Sequence, residues 1–306
     1  MEARVSTPAS VRVASLNLIV YVDEAGRHDW VAERASRLAA KHPCRIVLLD
    51  ATGATSGVAI DGMRHDVGVA GLAGDAVLSL AAEHTVPGVD AILWWNGSQF
   101  LGSDAFAHLV TAVDAVILDS SGRERGEAVI REVAAFAERY PGVALHDLAF
   151  MRLDPWMDMI AQFFDDPALR EDLFSIESLR VESGSEAEAH YLASWLGSRL
   201  SWKALDAHSF RAHDGRSIRL EREVAGDLRR VRRVVLTAGD STYTAALSEL
   251  DPNTVCLTVE GAKAKATRCA PLRNIDNVSL IERALLKSGN DQIFDTSLVT
   301  VRELLT

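Results

Sequence analysis

Apolar runs and helical periodicities alternate along the first half of the chain. Residues 11–22 form a long apolar run interrupted by Ser15 and Asn17, and 44–50, 89–95, 114–119 and 143–149 are shorter runs of the same kind. Each has the length of a strand and the near-continuous apolarity of a strand covered on both faces. Between them the period becomes helical. Over 29–42, Val31, Ala35, Leu38 and Ala39 share one face, and Pro43 stops the segment. Residues 75–84, 103–110 and 123–140 also read as helices, with Asp75 and Ser103 capping the first two and Pro141-Gly142 ending the third. A helix over 155–164 starts with Asp154 at the N-cap and Pro155 at the first helical position, where a missing N–H costs nothing. Strand and helix in alternation predict a parallel sheet with helices on both faces.

The second half changes character. A strand over 174–182 and a helix over 185–200 lead into short Val-, Leu- and Thr-rich segments at 206–212, 217–224, 232–238, 242–250, 254–260 and 264–271. Asp214-Gly215, Gly239-Asp240 and Asp251-Pro252 are turn signals between them, so hairpins are expected. Helices over 276–287 and 297–305 finish the chain. The expected architecture is α/β: an N-terminal Rossmann-like parallel sheet with helices on both faces over 1–168, and a C-terminal α+β domain with a mainly antiparallel sheet over 169–306. A chain of 306 residues exceeds what one core usually serves, which agrees with two domains.

Charge narrows the partners. The net charge is −11 and the pI about 5.3. Nucleic acids and anionic membranes are bound by neutralising phosphates with Lys and Arg, so neither is an expected partner. Arg229, Arg230, Arg232 and Arg233 form the densest basic run, read either as a solvated turn and strand edge or as a docking patch for an acidic partner. Residues 1–10 are polar and lack the apolar core of a signal peptide, and no run of ~18 apolar residues is long enough to span a bilayer. A cytoplasmic location is expected. Cys44, Cys256 and Cys269 are an odd, sparse set without a CxxC motif, which fits a reducing compartment. Cys256 and Cys269 lie on the two arms of a hairpin: an even-length loop centred on Ala262-Lys263 would set them opposite each other, and an odd-length loop would offset them by one residue; two half-buried thiols are expected there.

Sheets of this class bind ligands at the carboxyl ends of their strands. After the first strand comes Asp23-Glu-Ala-Gly26, without the G-x-G-x-x-G of a dinucleotide site, and no Walker-type glycine loop exists. Gly68, Gly71 and Gly74 read as a plain loop. No cofactor is expected. The chain also has no G-x-S-x-G elbow, and its nine histidines are scattered without the short spacing of a zinc site. His208 and His213 read as surface residues. Asp119, Ser120 and Ser121 follow the fourth strand; they could bind a sugar phosphate at a helix N-terminus or simply cap it. Two aromatic clusters remain. Trp94 and Trp95 end the third strand, and Arg152, Asp154 and Trp156 turn the chain from the fifth strand into a helix. Each tryptophan suits a core, but Trp and Arg together also suit a partner interface.

The stretches Leu93-Trp94-Trp95-Asn96-Gly97, Val116-Ile-Leu-Asp119-Ser120, Asp147-Leu-Ala-Phe-Met-Arg152-Leu-Asp-Pro155-Trp156 and Ile160-Ala-Gln-Phe-Phe-Asp165 resemble the glucose-6-phosphate dehydrogenase assembly protein (OpcA) family. The order and spacing match, as does the helix around 189–202. That family usually carries Arg after the Pro-Trp pair, where this chain has Met157. The resemblance implies a non-catalytic partner and allosteric activator of glucose-6-phosphate dehydrogenase, at the entry to the oxidative pentose phosphate pathway. It implies a protein interface, with Trp94, Trp95, Arg152, Asp154 and Trp156 as its candidates. The family's link to thioredoxin-type redox control finds no cysteine motif here. The rival reading is a sugar-phosphate sensor or enzyme using Asp119, Ser120 and Ser121.

Overall fold

The computed structural model describes residues 14–122, 126–225, 230–273, 276–287 and 289–306. Residues 1–13, the start of the expected 123–140 helix and Arg229 lie outside them. The chain divides into two compact units, 1–116 and 117–306.

The first unit runs β1 (Leu16–Val22), α1 (His28–Lys41), β2 (Cys44–Asp50), β3 (Val58–Asp61), β4 (Arg64–Gly68), α2 (Gly74–His84), β5 (Ala91–Asn96) and α3 (Asp104–Leu109). Its strand order is β3-β4-β2-β1-β5. β1 pairs parallel with β2 and β5, and β2 parallel with β4. Successive residues from Asn17 to Val22 are all buried, so side chains on both faces of β1 are covered. Asn17, an interruption in the sequence pattern, is a buried tie: its amide donates to the Val86 carbonyl at 2.9 Å and accepts from the Val86 N–H at 2.7 Å. Trp95 stacks on Tyr21 with ring centroids 4.4 Å apart, meets Phe106 edge-on, and donates its indole N–H to the Phe100 carbonyl at 2.7 Å.

The hairpin of β3 and β4 is not in the sequence-based expectation. β3 is exposed at every position, so no buried face advertises it. Its signal is local: Asp61 pairs with Arg64 around Gly62-Met63, and Gly62 adopts φ +57°.

β6 (Ala115–Leu118) lies across the division between the units. The second unit continues with α4 (Glu127–Ala134), α5 (Phe136–Arg139), β7 (Ala144–Asp147), α6 (Leu148–Met151) and α7 (Asp154–Ala161). Then come β8 (Ile176–Ser183), α8 (Glu186–Arg199), β9 (Lys203–Asp206), β10 (Ser209–Arg211), β11 (Ser217–Val224), β12 (Val231–Ala238), β13 (Ser241–Leu247), β14 (Thr254–Glu260), β15 (Lys265–Pro271), α9 (Asn277–Leu286) and α10 (Gln292–Leu304). The eight strands β8 to β15 form one sheet in the order β15-β14-β13-β12-β8-β11-β10-β9. It is antiparallel throughout except for the β8–β11 pair. Strands β11 to β14 alternate buried with half-buried or exposed positions, as expected for a sheet with one covered face.

The division at residue 116 falls earlier than the expected boundary at 168. Phe150 of α6, Tyr191 of α8 and Phe294 of α10 form a ring cluster, with centroid separations of 4.6 to 6.0 Å. That packing draws β7 and α6 into the second unit.

Several local expectations shift. The 143–149 run ends as a strand at Asp147, which turns the chain by capping α6 through the Ala149 N–H at 2.9 Å. The N-cap positions of α2 and α7 fall on Ala73 and Leu153, not on Asp75 and Asp154. At α2 the Gly74 N–H is satisfied instead by Asp104 at 2.7 Å. The expected 123–140 helix is two pieces meeting at Ala135. The loop between β14 and β15 is even, Cys256 sits opposite Cys269, and the two are joined as a disulfide. That corrects the expectation of two reduced thiols: direct cross-strand pairing brings the sulfurs into bonding contact. Cys44 is buried and free, and burial pushes its thiol up to about 11.

Truncating Phe150 to Ala removes the centre of the ring cluster and should cost ~3–5 kcal/mol. Phe174, 70% exposed, serves as the control, and Phe174→Ala should stay within about 0.5 kcal/mol. Urea titration followed by circular dichroism measures both.

Candidate functional site

At the ends of β6 and β7 the sequence places carboxylates, and the fold brings them to one arginine. Asp119 follows β6, and Ser120–Gly122 make a single 3₁₀ turn after it. Asp147 closes β7. The short α6 then carries the chain round to Arg152, at its C-terminal end. Arg152 forms an ion pair with Asp119, donates to Glu188 of α8 at 3.2 Å and donates to the Ser121 hydroxyl at 3.1 Å. Its side chain is 20% exposed, and that of Glu188 only 1%.

Each remaining acceptor is also engaged. The second oxygen of Glu188 accepts from the Val231 N–H at 3.1 Å. Asp119 accepts from the Ser121 N–H at 3.1 Å and hydroxyl at 2.6 Å. Asp147 accepts from the N–H groups of Ser120 and Ala149, and from the Tyr191 hydroxyl at 2.8 Å. Ser120 is buried, with its hydroxyl directed at Tyr191. The set is a buried network with three carboxylates and one guanidinium.

Burial and crowding set the protonation states. Burial, and then the charge of Asp119, push Asp147 up to about 6. Burial pushes Glu188 up to about 7, against the pull of Arg152. For Asp119 the burial penalty is outweighed by Arg152 and Ser121, which hold it below the usual carboxylate range. Near neutral pH the network therefore holds a proton that an open carboxylate cluster would release.

The candidate interface residues fall into two groups. Trp94, Trp95 and Trp156 are 2%, 1% and 3% exposed. Their rings are packed into the interior and offer no contact area, which corrects the expectation of aromatic anchors. Arg152 is likewise turned inward on Asp119 and Glu188. Asp154 differs: it is half-buried, pairs with Arg283 of α9, and borders a cleft of about 690 Å³. Met157, where the family resemblance leads one to expect Arg, is buried. An apolar side chain fits that position without the cost of desolvating a charge. Among the ligand candidates, Ser120 is inaccessible and Asp119 is committed to Arg152 and Ser121. His208 and His213 are exposed, as expected.

In the first unit, the positions where this class of fold holds a dinucleotide carry other chemistry. The turn after β1 presents Asp23, whose carboxylate accepts from the N–H and hydroxyl of Ser98 at 2.7 and 3.0 Å. A carboxylate stands where backbone N–H groups would cradle a pyrophosphate. Asp50, at the end of β2, is fully buried and accepts from the N–H and hydroxyl of Thr52 and from the Thr55 N–H, at 2.6 to 2.8 Å. An acid placed for a ribose hydroxyl is thus closed within its own loop. These residues do not fit a dinucleotide.

A third cluster escaped the sequence reading: Glu127, Glu186 and His190 come together in the second unit. Its one sequence signal is the Glu186–His190 spacing of four along a helix, and Glu127 lies 59 positions from Glu186, so nothing local links them.

The fold is Rossmann-like. KijD10, a 3-ketoreductase from Actinomadura kijaniata solved with NADP and TDP-benzene, is similar at TM-score 0.58 and 10% identity, with 95% of each chain covered. Levoglucosan dehydrogenase with NADH is similar at TM-score 0.56 and 9% identity, over 94% of this chain and 95% of that one. Such identities speak for the fold alone. The sequence gives the family. Residues 35–135 match the glucose-6-phosphate dehydrogenase subunit N-terminal domain, and residues 143–298 match its C-terminal domain. The chain belongs to this OpcA family. Relatives named "Putative OxPP cycle protein OpcA" are 25% identical in Synechococcus elongatus and 27% identical in Synechocystis sp., covering 74% and 73% of this chain. The matches take in 56% and 51% of those proteins, so the chain spans about half the length of the curated relatives it matches. Among the described residues no helix is long and apolar enough to cross a membrane.

Two outcomes test the network. Arg152→Ala leaves two carboxylates facing each other without a counter-charge and should cost ~3–5 kcal/mol by chemical denaturation. The pH dependence follows from Glu188 and Asp147. Their folded values lie above the unfolded ones of about 4.3 and 3.9, so the native state binds protons that the unfolded chain has released. Their contribution is therefore full below about pH 4 and is lost as pH rises through about 6 to 7. For Glu188 the loss is on the order of 3 kcal/mol. Glu188→Gln should remove that slope, so its stability relative to the parent improves between pH 5 and pH 8. Urea midpoints across that range measure it, and parallel curves would show that Glu188 does not titrate there.

Proposed function

We propose that this chain is a non-catalytic assembly factor and allosteric activator of glucose-6-phosphate dehydrogenase, acting by protein–protein binding in the cytoplasm at the entry to the oxidative pentose phosphate pathway. The family's description as subunit domains of that dehydrogenase supports the partner, and the relatives' OxPP name supports the pathway. One observation carries the non-catalytic part. Among the described residues, the acids at the ends of β6 and β7 are occupied by groups of the chain itself, so no free acid–base pair faces an approach for substrate at those ends.

Activation then works by differential binding. A protein that binds the assembled or active dehydrogenase better than the inactive form shifts the population toward it. A tenfold shift needs a difference of ~1.4 kcal/mol. With the three tryptophans buried, we assign the contact to the exposed end of α7 and its cleft. Asp154, Asp158, Gln162, Arg273 and Arg283 line it with both signs of charge. Mixed charge of that kind favours register and partner choice over bulk affinity.

The test is the cognate dehydrogenase assayed with and without this protein, with its oligomeric mass followed by light scattering. A rise in kcat or a fall in KM, together with a larger assembly, is expected. If kcat, KM and mass all stay the same at saturation, the proposal ends. Asp154→Lys should raise the concentration for half-activation at least tenfold. Its own melting temperature should hardly move, because an exposed ion pair contributes only about 0–1 kcal/mol.

A further inference from the structure

Three donor side chains converge away from the Arg152 network. Glu127 is the first residue of α4, and Glu186 and His190 lie one turn apart at the start of α8. One carboxylate oxygen from each glutamate and one His190 ring nitrogen all lie within 4.8 Å of one another. His190 is 0% exposed, and neither of its ring nitrogens has a hydrogen-bond partner. Buried polar atoms in folded proteins are nearly always paired, so an imidazole with both nitrogens open beside two carboxylates points to a missing ligand. The backbone at the start of α4 comes close to this cluster. Gly126 precedes α4 with φ +43°, and a Cβ there would stand 1.9 Å from Glu186 Oε2. A side chain at that position would displace the carboxylate.

We infer that Glu127, Glu186 and His190 bind one divalent first-row transition-metal ion, zinc fitting best. One imidazole nitrogen with two carboxylate oxygens is a mixed donor set that suits zinc, whereas calcium and magnesium favour oxygen alone. Donors at ~2.1 Å from a tetrahedral zinc lie roughly 3.4 Å apart. The two half-buried glutamates can close to that spacing by side-chain rotation, while His190 stays fixed in the interior. Water completes the fourth position, as in zinc sites with three protein ligands.

The electrostatic surroundings are mixed. Arg222 of β11 and Arg131 of α4 face the group. Burial first, then those two guanidiniums, disfavour the protonated form of His190, and a ligating imidazole is unprotonated. Two carboxylates against two guanidiniums leave the pocket near electrical balance, so the affinity rests on the coordination bonds themselves. Bound metal would tie the start of α4 to the first two turns of α8. It would stabilise the native state in proportion to metal concentration. This site is separate from the dehydrogenase contact and does not depend on it.

The full chain, stripped with chelator and dialysed, is titrated with ZnCl2 by calorimetry and, in parallel, with CoCl2 by visible absorption. Saturable binding of one ion per chain is expected, with cobalt d–d bands of a four- or five-coordinate site and a melting temperature that rises with zinc. Glu127→Gln and Glu186→Gln should each weaken zinc binding at least tenfold. Both side chains are half-buried, so these variants should melt like the parent in the absence of metal. His190→Asn should abolish the cobalt bands. Absence of saturable one-to-one binding overturns the inference. So does zinc affinity that is unchanged in both glutamate variants, which would place the ion elsewhere.

Discussion

Arg152 stands between Asp119 and Glu188, and the cost of leaving either carboxylate unpaired constrains the chain around it. Three segments must meet for the pairing to hold: the turn after β6, the short α6 after β7, and the first turn of α8. Each brings an acid into the interior, where an ionised group without a partner is strongly unfavourable. The chain answers with one guanidinium, the N–H groups of Ser120, Ser121, Ala149 and Val231, and the Tyr191 hydroxyl. Tyr191 also belongs to the ring cluster with Phe150 and Phe294, so the polar network and the apolar core share a residue. That coupling explains why the second unit takes in β7 and α6.

The same saturation marks the strand ends of this chain. At strand ends, enzymes of this architecture keep donors and acids open to a cofactor and a substrate. Here Asp23 and Asp50 are closed within the first unit, and Asp119, Asp147 and Glu188 within the second. Layers and strand-end chemistry are set separately, because the layers depend on apolar pattern and the chemistry on a few side chains. The mixed-charge cleft beside α7 stays accessible.

Much of the architecture was legible. The alternation of buried-type strands and helices located β1, β2, β5 and β6, and the turn signals located β11 to β15. The cap at Ser103 read correctly because an N-cap needs only a short polar side chain within three residues of the N–H it serves. Exposed β3 was not legible, since a strand with no buried face has no period to reveal it. The site was legible as a set of positions and not as a geometry. Arg152 and Asp119 were singled out from sequence, but Glu188 and Tyr191, which complete the network, were not. They sit on a helix buried nearly all round, where a charged residue gives no amphipathic signal.

The sequence by itself determined the family and the alternation of strands and helices, because each rests on local pattern or on residues close in the chain. Only the tertiary structure decided that the tryptophans are core, that Arg152 is a counter-ion, and that Glu127 meets Glu186 and His190. Those outcomes depend on which distant segments share a volume. A side chain's exposure and partners follow from that packing, and spacing along the chain does not encode it.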